Sequence, residues 1–380
     1  MNVGALFYLM STDLGTDVTG LGILSSAFYL GVGTMQIPGG ILAAKQGPKK
    51  TVTIGILISS LAVLTISIST SLPEVTILRF IVGAGMALVF APSVVLAAKF
   101  LGGKSGIGVG VINSAFSLGG LLGLFGWILI ATITGWRPSL ILSGTLGLLT
   151  ALLVIIFVPR DQDNNQFTLS NQKLASILRN RTLLVLGLGA LATNLGSVLI
   201  SSFMVYYLHT ELGEPPELAG LVTSMVVVLP ILTSLWGGRL YDQSKKPRRI
   251  MIIAGLGMVA SLVISSIPNT LIAFIGPILA GISAGPAFTI AFAAARDLTG
   301  FEKEYESLTI GWVNCISLTG SVWPPLVFSF LADSLNYSVA WLGGAVMSLA
   351  FVATVFFLFR TRSKMRSKSP RLRLVVPSEV

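Results

Sequence analysis

The sequence predicts an all-α protein that crosses a membrane many times and consists of two similar halves. Of its 380 residues 53% are hydrophobic and only 11% are charged, compared with roughly one quarter charged residues in soluble domains. Features of the first half also recur 198 positions downstream in the second. The matching positions are Asp13-Leu14-Gly15 with Glu211-Leu212-Gly213, Gly22 with Gly220, Ser26 with Ser224, and Gly40 with Gly238. A constant offset across helices and loops indicates an internal repeat.

Eleven stretches are long and apolar enough to cross the membrane. A helix needs about 20 apolar residues to span about 30 Å of hydrocarbon, and Gly and Pro do not exclude such a helix. The predicted spans are 20–44, 52–70, 74–98, 105–133, 138–159, 182–207, 218–240, 250–267, 271–294, 307–331 and 338–359.

Residues 1–10 are apolar but would form a helix only about 15 Å long. The repeat pairs Met1 with Leu199, so the first half has no counterpart of 182–198. We therefore expect two pseudo-symmetric bundles of six helices, with the first helix truncated, and a native chain that begins upstream of Met1. The predicted units are the N-terminal half 1–159, a linker 160–181, the C-terminal half 182–359 and a basic tail 360–380.

The basic residues predict the orientation. The loops near 45–50, 99–104, 160–181, 239–249 and 296–303, together with the tail, contain 23 of the 25 Lys and Arg residues. Cytoplasmic loops of membrane proteins are enriched in these residues. We expect a plasma-membrane protein with these loops, the linker and the C-terminus in the cytoplasm. Because the net charge of +10 is spread over helix ends and a short tail, it does not indicate a nucleic-acid partner.

The scarcity of Cys and His limits the chemistry. The chain has one cysteine, Cys315, and one histidine, His209. These exclude a disulfide framework and metal sites made of Cys or His clusters, and no catalytic constellation is visible. We expect no enzymatic activity, no metal and no cofactor. The expected partners are a small-molecule substrate and the lipid bilayer, and the expected state is a monomer. A coupling ion, a proton or another, stays open.

Two loops carry a recognisable pattern. Gly40 is followed by Lys45, Gly47, Lys49 and Lys50, and Gly238 by Arg239, Asp242, Arg248 and Arg249. The pattern resembles the signature Gly-x-x-x-Asp-Arg/Lys-x-Gly-x-Arg/Lys-Arg/Lys of the major facilitator superfamily. Two shorter motifs support the resemblance: Arg79-x-x-x-Gly83-x-Gly85 is similar to the family's fourth-helix motif, and Gly135-Trp136-Arg137 matches more weakly.

The resemblance implies that both loops stabilise one face of an alternating-access cycle. The first copy has Ala44 where the acid is expected, and the second has one extra residue in its turn. We therefore expect a gate that depends more on Asp242 than on the first loop. The alternative is that the basic residues only fix the orientation in the membrane.

A set of polar residues inside the spans is predicted to bind substrate. Arg79 leads it, because placing Arg at the bilayer centre costs roughly 2.5–3.5 kcal/mol unless the side chain faces a cavity or a partner. The alternative for Arg79 is that it extends to the nearby interface. Asn113 and Asn314 each precede a glycine by six positions, and they bind either substrate or neighbouring helices. The remaining candidates are Tyr29, Gln36, Asn194 and Trp312.

These residues favour secondary active transport of a small solute between the halves, an architecture known among transporters. One candidate cavity cation and no acid in the middle of a span favour a small organic or inorganic anion. Two alternatives remain: an efflux carrier for drugs or other amphipathic compounds, and a transport-inactive receptor or scaffold.

Overall fold

The computed structural model of the protein describes residues 2–100, 112, 115–159, 171–244, 246–299 and 306–363, and these are helical with short connections. The helices are α1 (Asn2–Leu14), α2 (Val18–Gln46), α3 (Pro48–Ile68), α4 (Leu72–Ala87), α5 (Phe90–Phe100), α6 (Ala115–Thr134), α7 (Trp136–Phe157), α8 (Asn171–Leu178), α9 (Arg181–Thr210), α10 (Pro216–Ser244), α11 (Pro247–Ser265), α12 (Thr270–Thr299), α13 (Glu306–Gly320), α14 (Pro324–Ser334) and α15 (Tyr337–Ser363). The described residues contain no strand, which confirms the predicted all-α class.

Eleven spans of the described chain are long and apolar enough to cross a membrane, as predicted. Helices α4 and α5 together supply the span Leu72–Ala97, and α13 and α14 supply Leu308–Ser334. The segment Val3–Leu14 of α1 is a shorter apolar helix, as the sequence indicates. Parts of the linker (160–170) and of the basic tail (364–380) lie outside the described residues.

Glycine, proline and asparagine explain several helix ends. Gly15 and Gly213, which the repeat pairs, both have positive φ values, 59° and 72°, after α1 and α9. Glycine adopts this conformation without steric cost, so both turns are encoded in the same way. Asn180 caps α9 by accepting a hydrogen bond from the Thr182 N–H (2.9 Å). Pro48 follows Gly47 (φ 89°) and starts α3, where its missing N–H leaves no unsatisfied donor.

For brevity, the ends of the spans near Lys49, Arg181 and Arg248 are called the basic side, and the ends near Leu14, Leu72 and Thr210 the opposite side. Helix α1 packs on α9 towards the opposite side, where Tyr8 and His209 form an edge-to-face pair with ring centroids 4.8 Å apart. Helix α2 contacts α14 at Gly22, next to Ser329 and Pro325. Helix α6 contacts α10 at Gly220, where an added Cβ would lie 2.5 Å from the Leu124 carbonyl oxygen. The two halves are therefore sealed against each other at this end.

Helices α2 and α13 separate towards the basic side. Along α2 the contact with the second half passes from Gly22 to Gly33, where an added Cβ would lie 2.8 Å from Thr319 Oγ1. The antiparallel register then places Gly40 opposite Gly311. A Cβ at either glycine would meet no atom of the described chain within 4 Å. Helices α2 and α13 thus touch in the middle of the membrane and diverge at the basic side.

The linker helix α8 belongs to the second half. Its residue Ile177 is fully buried in an apolar cluster with Leu183, Tyr241, Met251 and Val313. The sequence gives Leu174, Ile177 and Leu178 a helical spacing typical of an interfacial helix. In the structure Ile177 packs against protein instead of lipid.

Candidate functional site

Arg79 is buried in the first half, seven residues into α4, and only 6% of it is exposed. At 1.5 Å per residue this position is about 10 Å from the start of the helix, or two turns. The side chain points at α2, where its Nε lies 3.5 Å from the Leu24 carbonyl oxygen. Its Cζ lies 4.6 Å from the centroid of the Phe28 ring. Arg79 is thus held against α2 within the protein.

Two glycines of the motif Arg79-x-x-x-Gly83-x-Gly85 explain how α4 comes so close to its neighbours. An added Cβ at Gly83 would overlap the Phe28 carbonyl oxygen of α2. An added Cβ at Gly85 would lie 2.8 Å from the Gly55 carbonyl oxygen of α3. Small residues permit this backbone approach in membrane helices. The motif therefore seats Arg79 between tightly packed helices.

Arg79 has no carboxylate partner among the described residues, and the Tyr29 hydroxyl lies near it. One face of the guanidinium is stacked on Phe28, and Nε is directed at Leu24. A buried charge without a counter-charge is expensive, because its lost hydration is not replaced. The two Nη groups remain as the donors that an external anion could use.

Tyr29 stands between Arg79 and the second half. Its ring forms an edge-to-face pair with Phe28, with centroids 5.2 Å apart. Its hydroxyl lies near the Arg79 guanidinium and near the Ser201 hydroxyl of α9. Tyr29 is eleven residues into α2, about 16 Å along a helix that crosses about 30 Å of hydrocarbon. Arg79, Tyr29 and Ser201 therefore form a polar group near the middle of the membrane where the halves meet.

The structure places the other predicted binding residues in different surroundings. Asn194 is engaged within the second half, since its Nδ2 donates to Ser321 Oγ (3.0 Å) and to the Ser317 carbonyl oxygen (3.4 Å). Asn314 is buried on α13, whereas Gln36 is half-buried on α2. Trp312 is half-buried beside the cluster around Ile177, and its Nε1 has no partner in the described part of the chain. Asn113 lies outside the described residues.

The basic residues of the two signature loops have structural partners that the sequence did not reveal. Lys49 Nζ donates to the carbonyl oxygens of Ile155 (2.8 Å) and Val158 (2.5 Å) at the end of α7. Arg248 donates to the Phe356 carbonyl oxygen of α15 (3.1 Å) and stacks on that ring at 4.7 Å. The last carbonyls of a helix lack intrahelical donors and carry partial negative charge. Lys49 therefore caps α7, the last helix of the first half, whereas Arg248 binds α15 about two turns before its end.

The other loop residues lie at the surface of the basic side. Lys50, Arg239 and Arg249 are exposed, as are Lys45 and Asp242. Asp242 takes part in an interaction, so its charge is not isolated. Gly238 is half-buried, and an added Cβ there would lie 3.6 Å from Thr289 of the same half. The predicted role of these residues in gating stays a prediction.

The two-fold helical bundle, with a polar group at the seam and one sealed end, defines a membrane transporter fold. The sequence model of the Major Facilitator Superfamily matches residues 1–203 and 186–377. The chain belongs to the Major Facilitator Superfamily.

Similar proteins are transporters. A probable sulfoacetate transporter of Cupriavidus necator is 28% identical over 178 residues, which cover 47% of this chain and 41% of that protein. A nitrite extrusion protein of Bacillus subtilis is 23% identical over 88% of this chain and 84% of its own length. A homologue of the multidrug efflux pump PmrA from Lactococcus lactis is 24% identical, covering 96% of this chain and 94% of that protein.

Solved structures share the fold. The nucleoside transporter NupG superposes with a TM-score of 0.74 at 13% identity, covering 94% of this chain and 94% of that one. A bacterial homologue of the human lysosomal transporter Spinster, in an inward-facing and occupied conformation, gives 0.71 at 16% identity, covering 95% and 93%.

Proposed function

We propose that the protein is a secondary transporter of a small anion that works by alternating access, with Arg79 as the anion-binding residue. The observation that carries the proposal is the buried Arg79 guanidinium, which has no carboxylate partner in the described residues. An anion bound at its Nη groups would supply the missing counter-charge. Arginine suits this task because its fork of donors matches the oxygens of carboxylates and related anions.

Two of the relatives agree with an anionic substrate, since they are named for sulfoacetate and nitrite. The third is named for multidrug efflux, which keeps an amphipathic substrate as the alternative outcome. The position of Arg79 also fits, because carriers of this architecture bind substrate near the bilayer midplane between their halves.

The charge distribution supports a direction for the arrangement of the helices. If the loops rich in Lys and Arg are cytoplasmic, then the sealed end faces outward and the diverging end faces the cytoplasm. The arrangement is then inward-facing, and a substrate would reach Arg79 from the cytoplasm. Transport requires the halves 1–159 and 182–359 to rock about this site until the seal opens and the basic side closes.

The test is uptake into proteoliposomes that contain purified protein, with a panel of small carboxylates, sulfonates, nitrite and lipophilic cations. We expect uptake of at least one anion, and we expect Arg79→Ala to abolish it. Arg79→Lys should retain only part of it, because lysine keeps the charge and loses the paired donors. Arg179→Gln, an exposed position on the linker, is the control and should transport like the unmodified protein.

Anion uptake that persists in Arg79→Ala would contradict the proposed role of Arg79. Uptake of lipophilic cations alone would favour drug efflux. If no compound is transported while the protein is folded and inserted, the receptor or scaffold function gains support.

A further inference from the structure

Helix α1 brings a side chain of the first half against the end of α9 in the second half. Tyr8 of α1 and His209 of α9 form an edge-to-face pair whose ring centroids are 4.8 Å apart. Helix α1 is tied to the first half, because Asp13 at its end accepts hydrogen bonds from Trp136 Nε1 (2.9 Å) and from Arg137 at the start of α7. The pair of Tyr8 and His209 is therefore a contact between the halves on the opposite side.

The imidazole of His209 is oriented by the chain that follows α9. Its Nδ1 lies 2.9 Å from the Glu214 carbonyl oxygen. A carbonyl oxygen only accepts hydrogen bonds, so Nδ1 carries a hydrogen and donates it, and Nε2 is the nitrogen that can take up a further proton. Histidine is the side chain that ordinarily changes its charge between about pH 5 and 8, and His209 is the only one in the chain. The contact between the halves therefore contains a group whose charge depends on pH.

The surroundings of His209 carry negative charge. The residue lies in the last turn of α9, where the helix carbonyls carry partial negative charge. The ionisable groups on the elements around this end of α9 are Tyr8 and Asp13 of α1, Asp17 of α2, Glu217 of α10, Asp333 of α14 and Tyr337 of α15, with Glu211 and Glu214 in the connection after α9. Arg137 is engaged with Asp13 and so does not neutralise the other acids. An imidazolium at His209 would supply positive charge among acids of both halves.

The partners of His209 divide between the two halves. The end of α9 and the acids Glu211, Glu214 and Glu217 belong to the second half, and they stay with His209 when the halves move. Tyr8 and Asp17 belong to the first half and move away when the opposite side opens. A cation within about 6 Å of an aromatic ring centroid is attracted by the ring, and the acid attracts it as well. The sealed arrangement therefore holds the proton more tightly, and acid shifts the population towards that arrangement.

We propose that His209 makes the seal on the opposite side dependent on pH, and that its protonation at Nε2 holds α1 against α9. This inference rests on the proposed alternating access. An acidic medium on the opposite side keeps the central site closed to that side. Loss of the proton removes the attraction between the imidazolium and the first half, so the halves separate more readily. With the basic side in the cytoplasm, the medium that controls the seal is the external one.

The experiment measures how fast the site is reached from the opposite side at two pH values. The reporter is Ser201→Cys in a Cys315→Ser background, treated on that side of oriented vesicles with a membrane-impermeant thiol reagent. Ser201 is buried and lies about 12 Å before His209 along α9. The labelling rate is divided by the rate of the same reporter with His209→Gln, which cancels the effect of pH on the thiol and the reagent. We expect this ratio to fall about threefold from about pH 8 to about pH 5.5, the size of one exposed cation–π contact.

Variants of Tyr8 test the contact itself. Tyr8→Phe keeps the ring beside His209 and should keep the fall in the ratio, whereas Tyr8→Leu removes the ring and should remove most of the fall. Glu74→Gln is the control, since it removes an exposed acid from the same side in the first turn of α4 and should keep the full effect. The transition temperature of each purified variant shows whether it is folded.

The two proposals fail in different ways. A ratio that stays constant or rises in acid would overturn the pH-dependent seal, and so would an undiminished fall in Tyr8→Leu. Alternating access would stand in each of these cases, because the reporter is still reached from the opposite side. If Ser201→Cys is labelled from the basic side and never from the opposite side in a folded protein, the proposed alternation is wrong and the pH-dependent seal falls with it.

Discussion

At the scale of single residues, the structural role of a charged side chain depends on what it contacts and not on its membership of a motif. Lys49 and Lys50 are adjacent in the same signature loop, yet Lys49 caps the end of α7 and Lys50 is exposed. In the second loop Arg248 contacts α15, whereas Arg249 is exposed. One residue of each pair thus fixes the last helix of its half, and its neighbour only adds charge to the surface.

We predict that Lys49→Met destabilises the protein and that Lys50→Met does not. Lys49 interacts with the carbonyl end of a helix, an arrangement that typically contributes about 0.3–1 kcal/mol and more when partly buried. Both variants remove one positive charge from the same loop, so an effect on membrane orientation would be shared. The measurement is thermal unfolding of the purified variants. Equal transition temperatures for the two variants would show that the loop lysines act only as topology signals.

The sequence predicted single residues less well than it predicted helices. Arg79 stands out in the sequence because a charge inside an apolar span is rare, and the structure does bury it. Its surroundings could not be predicted, because Leu24 and Phe28 are about fifty positions away in the chain. The contact of Tyr29 with Ser201 joins residues of different halves, and the repeat pattern carries no information about such pairs. The partners of Lys49 were hidden for the same reason, since Ile155 is 106 positions away.

At the scale of helices, α2 and its partner in the second half form a contact that can exist at either end. In the structure Gly22 touches α14, and Gly40 faces open space opposite Gly311. Because Gly22, Gly40 and Gly311 have no side chain, α2 can approach the second half closely at either of its ends. We infer that Gly40 meets α13 when the basic side closes. The open space around Gly40 is then the space that α13 fills when the basic side closes.

We predict that Gly40→Leu folds and binds substrate but does not transport. In this state a Cβ added at Gly40 meets no atom of the described chain within 4 Å, and the position is exposed, so we expect no fall in the transition temperature. It should obstruct closure of the basic side, because α13 must occupy that space. Gly119→Leu is the matched control, since an added Cβ at Gly119 also meets no described atom within 4 Å and the position on α6 is exposed. Normal uptake by Gly40→Leu would show that α2 and α13 do not close there.

The helices themselves were predictable because apolar length alone identifies a membrane span. The eleven predicted spans agree with the structure, and the paired glycines Gly15 and Gly213 form equivalent turns. The docking of α8 was not predictable from its pattern. An apolar stripe containing Ile177 fits a lipid surface and a protein groove equally well, and only the packing against Val313 and Tyr241 distinguishes them.

At the scale of the whole molecule, the proposed carrier alternates between two arrangements, and the structure represents one of them. Three contacts between the halves close the opposite side, and they involve the pairs α1 with α9, α2 with α14, and α6 with α10. Which end is closed could not be predicted, because a carrier's sequence must stabilise both arrangements to similar extents. A small free-energy difference between them is enough to change the population.

Gly22→Leu and Gly40→Leu should therefore trap opposite states of the same molecule. A leucine at Gly22 would collide with Ser329 and prevent the seal between α2 and α14, whereas a leucine at Gly40 would keep the basic side open. Both variants should lose transport, but the central site should be reachable from different sides. The reporter is Ser201→Cys in a Cys315→Ser background, exposed to a membrane-impermeant thiol reagent on either face of oriented vesicles. We expect labelling only from the basic side in Gly40→Leu and only from the opposite side in Gly22→Leu. Identical labelling of the two folded variants would mean that α2 does not control access to the site. Access would then be controlled by the contact of α1 with α9 or of α6 with α10.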